Sequence, residues 1–306
     1  MIFIRTDVGH EKLPLWSDIE KREQFVSRLS NTEHKLSHIF GYYELKEEIH
    51  CALSSCNQPH GKGYLVATET GLETNIGHRC GKRIFGVDFE NHANEFDKYR
   101  ENEERKLSIR TTKGKLEEWE TTIDSLRSSK PSILWVTAAI EKLQNSNYVG
   151  RAAAMEIRSL SRTQDGNVTV DVKVKDKKYE ALLFKFNKHF RESGEALEQK
   201  VVGKVKFLHV LLTENHLKIL FATAMANIKQ VRECDENSVP SPLLAEVAQK
   251  ANGLQSEVQR VLAIYNDARF FLTRKNLGLI LKKLNQMETV SQDDRERFAY
   301  FLRNFK

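Results

Sequence analysis

The stretch Cys51-Ala52-Leu53-Ser54-Ser55-Cys56-Asn57-Gln58-Pro59-His60-Gly61-Lys62-Gly63 decides how the N-terminal part of this chain is read, together with Ile76-Gly77-His78-Arg79-Cys80-Gly81-Lys82. Three of the chain's four cysteines lie in these two segments. Between them, Tyr64-Leu65-Val66-Ala67-Thr68 and Leu72-Glu73-Thr74-Asn75-Ile76 flank a turn at Glu69-Thr70-Gly71, which is a hairpin signature. A cysteine pair, a hairpin and a third cysteine where a helix begins can converge on one metal ion. Zinc takes four tetrahedral ligands, mostly thiolate and imidazole. Cys51, Cys56 and Cys80 are therefore the predicted ligands. The fourth is His60, four residues after Cys56, or alternatively His78, which lies two residues from Cys80 and would need an irregular turn. His50 ranks last, because on a strand it points away from Cys51. Cys234 is distant and reads as a small buried thiol. So short a segment with so little apolar material needs a staple to fold.

Residues 48–86 resemble the small zinc-ribbon or treble-clef modules found in bacterial and phage proteins. The likeness rests on the cysteine pair, the hairpin and Gly77-His78-Arg79-Cys80-Gly81. It implies a structural Zn2+, and a role in binding nucleic acid or protein. With four protein ligands the ion would have no position open to substrate.

Outward from this module, Ser17-Asp18-Ile19-Glu20 matches a capping box. Residues 1–44 are thus expected to be helical, with Ile19, Phe25 and Leu29 and a second turn near Leu36 and Ile39. Residues 45–90 form the zinc-binding domain. Helix is expected from about 78 to 129, as one long helix or as two joined near Thr111-Thr112-Lys113-Gly114. Phe89, Ala93 and Phe96 make one stripe in it. Leu116, Trp119, Ile123 and Leu126 repeat as a heptad seam, so 91–130 reads as a coiled-coil-like segment or an ordinary amphipathic helix. Residues 131–306 are expected to be mainly helical, with Val168, Val170, Val172 and Val174 alternating along a strand and residues 179–186 as its hairpin partner. The predicted fold is α+β: mainly α, with a small zinc-stapled β-hairpin domain and a short β element in the C-terminal half.

The chain has 306 residues, 40% hydrophobic and 29% charged, with a formal net charge of +6. A basic balance favours acidic partners such as nucleic acid. No apolar run reaches the roughly 18–20 residues that span a bilayer. Met1-Ile2-Phe3-Ile4-Arg5 lacks the pattern of a signal peptide, so a cytoplasmic location with no membrane partner is expected. Ten Lys/Arg and five acids lie between Lys173 and Lys206, accounting for nearly all of the net charge. Phe184, Phe186, His189 and Phe190 are interleaved with them. Lys173, Lys175, Lys177, Lys178, Lys185, Lys188 and Arg191 are the candidate nucleic-acid-binding residues, since cations neutralise phosphates and rings stack on bases. The alternative is that the rings are core and the lysines a solvated face.

Catalytic signatures are sparse. Gly61-Lys62-Gly63 and Gly203-Lys204 lack phosphate-loop spacing, and no nucleophile elbow or zinc-protease helix is present. Asp171-Val172-Lys173, with Asp165 or Glu156 upstream, has the acid-x-Lys form of a Mg2+-dependent nuclease strand. The expected function is non-catalytic: a zinc-containing nucleic-acid-binding or adaptor protein. The alternatives are a scaffold that contacts proteins or a second copy of itself through its long helices, and a Mg2+ nuclease using Asp171 and Lys173.

Overall fold

Leu36 to His50 is rich in β-branched and aromatic residues, and its core pattern, from Ile39 to Tyr43, does not follow a helical period. In the computed structural model, which describes residues 1–7 and 9–305 and only the backbone of His189, this run is the long strand at the centre of a sheet. The sheet joins β1 (Ile2–Thr6), β2 (Gly9–Leu13), β3 (Leu36–His50), β4 (Pro59–Thr68) and β5 (Glu73–Gly77). Its order is β2-β1-β3-β4-β5, with every neighbour antiparallel. Ile2 pairs with Tyr43, Tyr42 with Tyr64, and Tyr64 with Ile76.

The helical expectation for residues 1–44 is thereby corrected. Among the described residues there, the one α-helix is the single turn α1 (Ser17–Glu20). No side chain caps it, and Glu20 accepts from the Trp16 indole at 3.0 Å instead. Phe25 and Leu29 are bridged to Glu73 and Leu53 in the extended segment that follows. The Arg22–Glu73 ion pair at 2.5 Å and the Val26 N–H on the Glu73 carbonyl fix that segment. Local helix signals lost because this chain can bury apolar groups on both sheet faces. Residues 1–44 and 45–90 therefore share one sheet rather than forming two domains.

Both sheet faces are covered. One carries Phe3, Ile39, Tyr64, Val66 and Ile76 against Phe89, Ala93 and Phe96 of α2 (His78–Lys113). The other packs Ile2, Ile4, Phe40, Tyr43 and Leu65 with Ile19 and Trp16. This double burial explains why Ile2-Phe3-Ile4 is buried without alternation. The α2 helix breaks at Gly86, whose φ of 59° lies in the left-handed region that glycine adopts freely.

Two compact units divide the chain: residues 1–111 with 235–248, and residues 112–234 with 249–306. The second is helical: α3 (Leu116–Ser128), α4 (Ile133–Leu143), α5 (Ser146–Val149) and α6 (Arg151–Thr163) precede β6 (Asn167–Lys173). Then come α7 (Lys177–Phe186), α8 (Lys188–Ser193), β7 (Leu197–Lys204), α9 (Leu217–Glu233), α10 (Ser241–Phe271), whose first residues, up to 248, belong to the first unit, α11 (Arg274–Gln286) and α12 (Gln292–Leu302). The helix expected over 78–129 is two helices, parted at Gly114 and Lys115. Leu116, Ile123 and Leu126 of the heptad seam are buried in their own unit, where α3 packs on α9.

The valine-rich strand is confirmed, but its partner is corrected. β6 pairs with β7, Val170 opposite Lys200, and not with residues 179–186. The latter form α7, capped by the Asp176 carboxylate on the N–H groups of Lys178 and Tyr179. Tyr179, Leu182, Leu183 and Phe186 recur at helical spacing, and the cap decides between periods. The α+β class holds. Among the described residues, no helix is long and apolar enough to cross a membrane.

Candidate metal centre

Cys51 follows the last residue of β3, Cys56 closes the turn after it, and Cys80 lies in the first turn of α2. Pairing of β3, β4 and β5 is what brings these distant positions together. Their Sγ atoms all lie within 4.8 Å of one another, the one such group of metal-ligating side chains found among the described residues. The Cys56 and Cys80 sulfurs are 2.9 Å apart, and no disulfide links the three. Two sulfurs on one tetrahedral zinc stand about 3.8 Å apart, given bonds of about 2.3 Å. A bound ion would therefore part this pair by less than 1 Å. The donor set is soft, of the kind that takes zinc, Cu(I) or an iron–sulfur cluster.

Backbone groups prepare the site. The N–H groups of Leu53 and Gly77 are directed at the Cys51 sulfur, and that of Gln58 at Cys56. The turn itself is held by Cys51 N–H on the Gln58 carbonyl at 2.9 Å, Ala52 N–H on Asn75 at 3.1 Å and Cys56 N–H on Leu53 at 2.9 Å. Gly81 is required beneath it, because a Cβ there would overlap the Phe89 ring.

Burial and mutual contact separate the three thiols. Cys51 and Cys80 belong to the core cluster with Ile76 and Phe89, at 2% and 6% exposure. Burial raises the Cys51 thiol. Burial, aided by the neighbouring thiols, pushes Cys80 up to about 12. Burial also acts upward on the half-buried Cys56, but hydrogen bonds from Cys80, Gln58 and Cys51 and the Arg83 charge bring it below its ordinary value.

The structure keeps both candidate histidines outside the group of sulfurs. His60 Nε2 lies 2.5 Å from the Tyr43 hydroxyl, and its Nδ1 is 3.1 Å from the Gln58 carbonyl. Its ring lies against Gly77, one of the residues whose N–H faces Cys51. His78 is exposed and contacts the rings of Tyr64 and Phe89. His50 is bonded to the Asn57 carbonyl at 3.0 Å. Tyr43, Gln58 and Asn75 are the residues that sequence reasoning missed. Asn75, 3% exposed, donates to the His50 carbonyl at 2.8 Å. Strand pairing alone delivers them. Arg83 was legible, since it stands three residues beyond Cys80 on one helix face.

The other candidates are scattered over the helical unit. Lys173, Lys175, Lys177, Lys178, Lys185, Lys188 and Arg191 are all exposed. Lys173 pairs with Glu195 at 2.5 Å and Lys188 with Glu192 at 3.6 Å. No side chain of α7 is buried, and Tyr179 and Phe186 are 45% and 77% exposed. The His189 side chain lies outside the described residues. Asp171 is exposed opposite Gln199, Asp165 caps the Asn167 N–H at 3.1 Å, and Glu156 holds Lys283 at 2.8 Å. These carboxylates are not drawn into a metal-binding group. Comparison with protein-family models, curated proteins and solved structures finds no match for the chain.

Proposed function

We propose that the chain is a non-catalytic, zinc-containing protein that binds single-stranded nucleic acid through α7 and α8. In this reading Cys51, Cys56 and Cys80 hold a structural Zn2+. His60 supports the cysteine turn through Gln58 and becomes a fourth ligand only if its ring turns away from Tyr43. Two of the three sulfurs lie inside an apolar cluster, which suits a folding staple better than a substrate site.

One observation carries the nucleic-acid reading. If the rings of the basic stretch were core, α7 would bury them, and it buries none. Tyr179 and Phe186 are instead exposed on the helix that carries the exposed Lys177, Lys178 and Lys185, with Lys188 and Arg191 exposed on the next. The test is anisotropy of a labelled 20-nucleotide single strand on the full chain across salt concentrations. Four to six phosphate contacts give a slope of log K against log salt of about −3 to −4, from about −0.7 per contact. No binding at low salt overturns the proposal. The exposed Leu182 keeps a protein-only scaffold as the second reading, marked by partner capture that is insensitive to salt.

A further inference from the structure

A cavity of about 510 Å3 opens in the helical unit, and neither α7 nor the cysteines contribute to its lining. Trp135 of α4 and Phe270 of α10 stand at it, 39% and 61% exposed. Leaving two such large rings in water forfeits the favourable burial that aromatic residues give a core. Both are nevertheless held in place. The Phe305 ring meets Trp135 edge-on at 5.5 Å, and Phe207 stacks on Phe270 at 5.7 Å. Phe207 does so from a left-handed backbone, φ 63° and ψ 32°, a strained conformation for a bulky residue. Strain spent on backing an exposed ring points to use of that ring.

The polar lining has one sign. Lys130 and Arg269 border the cavity, and none of its described lining residues carries a carboxylate. Neither cation has an ion-pair partner among the described residues; Arg269 lies over the Tyr265 ring at 5.5 Å. Asn266 and Asn304 add side-chain amides. Asn304 spends its Nδ2 on the Phe301 carbonyl at 2.9 Å, which leaves its oxygen as an acceptor. Rings for a planar group, amides for its edge and cations for a negative tail define a ligand that is both aromatic and anionic. The volume suits a base with its sugar phosphate and is generous for a single-ring acid.

We propose that this cavity binds a nucleotide, the base against Trp135 and Phe270 and the phosphate toward Lys130 and Arg269. The same chemistry is offered by a free nucleotide and by one unit of a single strand. The full chain is titrated by calorimetry with AMP, with adenosine and with a six-nucleotide oligo(dA). Variants are Trp135→Ala, Arg269→Gln and, as a control outside the residues that line the cavity, Lys177→Gln/Lys178→Gln, with folding checked by circular dichroism.

The expected result is AMP binding at least about tenfold tighter than adenosine, since a charge-assisted phosphate contact is absent from the nucleoside. Trp135→Ala and Arg269→Gln each weaken AMP about tenfold or more, and the control leaves it unchanged. If oligo(dA) binds and AMP does not, and the cavity variants lose the oligonucleotide, the source is a strand rather than a free nucleotide. No binding of AMP or oligo(dA) overturns the proposal, as does binding that both cavity variants retain in full. Oligonucleotide binding lost only in the control variant overturns it too, while leaving the role of α7 intact.

Discussion

His60 Nε2 and the Tyr43 hydroxyl meet at 2.5 Å beneath the cysteine turn. The other ring nitrogen of His60 faces the Gln58 carbonyl, which also accepts the Cys51 N–H. The Tyr43–His60 pair thus locks the turn that presents Cys51 and Cys56. Replacing His60 by Ala should weaken zinc about 10–100-fold, the usual effect of losing an outer-shell partner, with one ion per chain still bound at saturation. Cys51→Ser or Cys80→Ser should lose the ion altogether. Competition with a chromophoric chelator reads both. Loss of all metal in His60→Ala would make His60 a ligand.

Chelation should act locally. Hydrogen exchange is expected to rise over residues 51–58 and 78–85, where the sulfurs tie a turn to a helix start. The strands that bury Ile2, Ile4, Tyr43 and Leu65 on the opposite sheet face should stay protected. Far-ultraviolet circular dichroism should keep most of its helical signal. Global unfolding on chelation would show that the ion supports the whole sheet.

Alkaline pH should separate the metal-free from the loaded protein. Burial holds the Cys80 thiol up to about 12, against an ordinary value of 9.0. A raised value means stability that is fully present below about pH 9 and is lost as pH rises toward 12. The melting temperature of the metal-free chain should therefore fall from about pH 9 upward. Cys80→Ala should lessen that fall; the part that remains is shared by Cys51, Tyr43 and Tyr64, also raised by burial. In the loaded protein acid is the hazard, because protons compete for the thiolates and release the metal.

Phe186 is 77% exposed, so Phe186→Ala should leave the melting temperature within about 1 °C or 2 °C while weakening single-strand binding by about 1–3 kcal/mol. The salt slope should not change, since no phosphate contact is lost. Changing Lys177, Lys178, Lys185 and Lys188 to Gln should instead flatten the slope by up to about 2.8. A Phe186→Ala chain that binds as tightly as the parent would remove stacking from the interface.

Gly81→Ala should cost about 1–3 kcal/mol, because its Cβ would overlap Phe89 and force the ring from the core. Thermal unfolding measures it. A neutral outcome would mean that Phe89 has room to retreat.

The sequence by itself determined the residues that could bind metal, the β4–β5 hairpin, the valine-rich strand and most of the helices. These are local patterns: cysteine spacing, a Gly71 turn with φ 85°, alternation, and apolar residues at helical intervals. It misread residues 1–44 because a capping box and spaced apolar groups are weak signals beside pairing with a partner strand distant in sequence. Tyr42 finds Phe3 and Tyr64 only once the sheet exists. It misread the partner of β6 because residues 179–186 are apolar enough for a strand, and the Asp176 cap selects helix. Only the tertiary structure decided that three cysteines converge while His60 is bonded to Tyr43 and Gln58. Convergence needs β3, β4 and β5 in register, and register is set by which side chains the two faces of the whole sheet can bury.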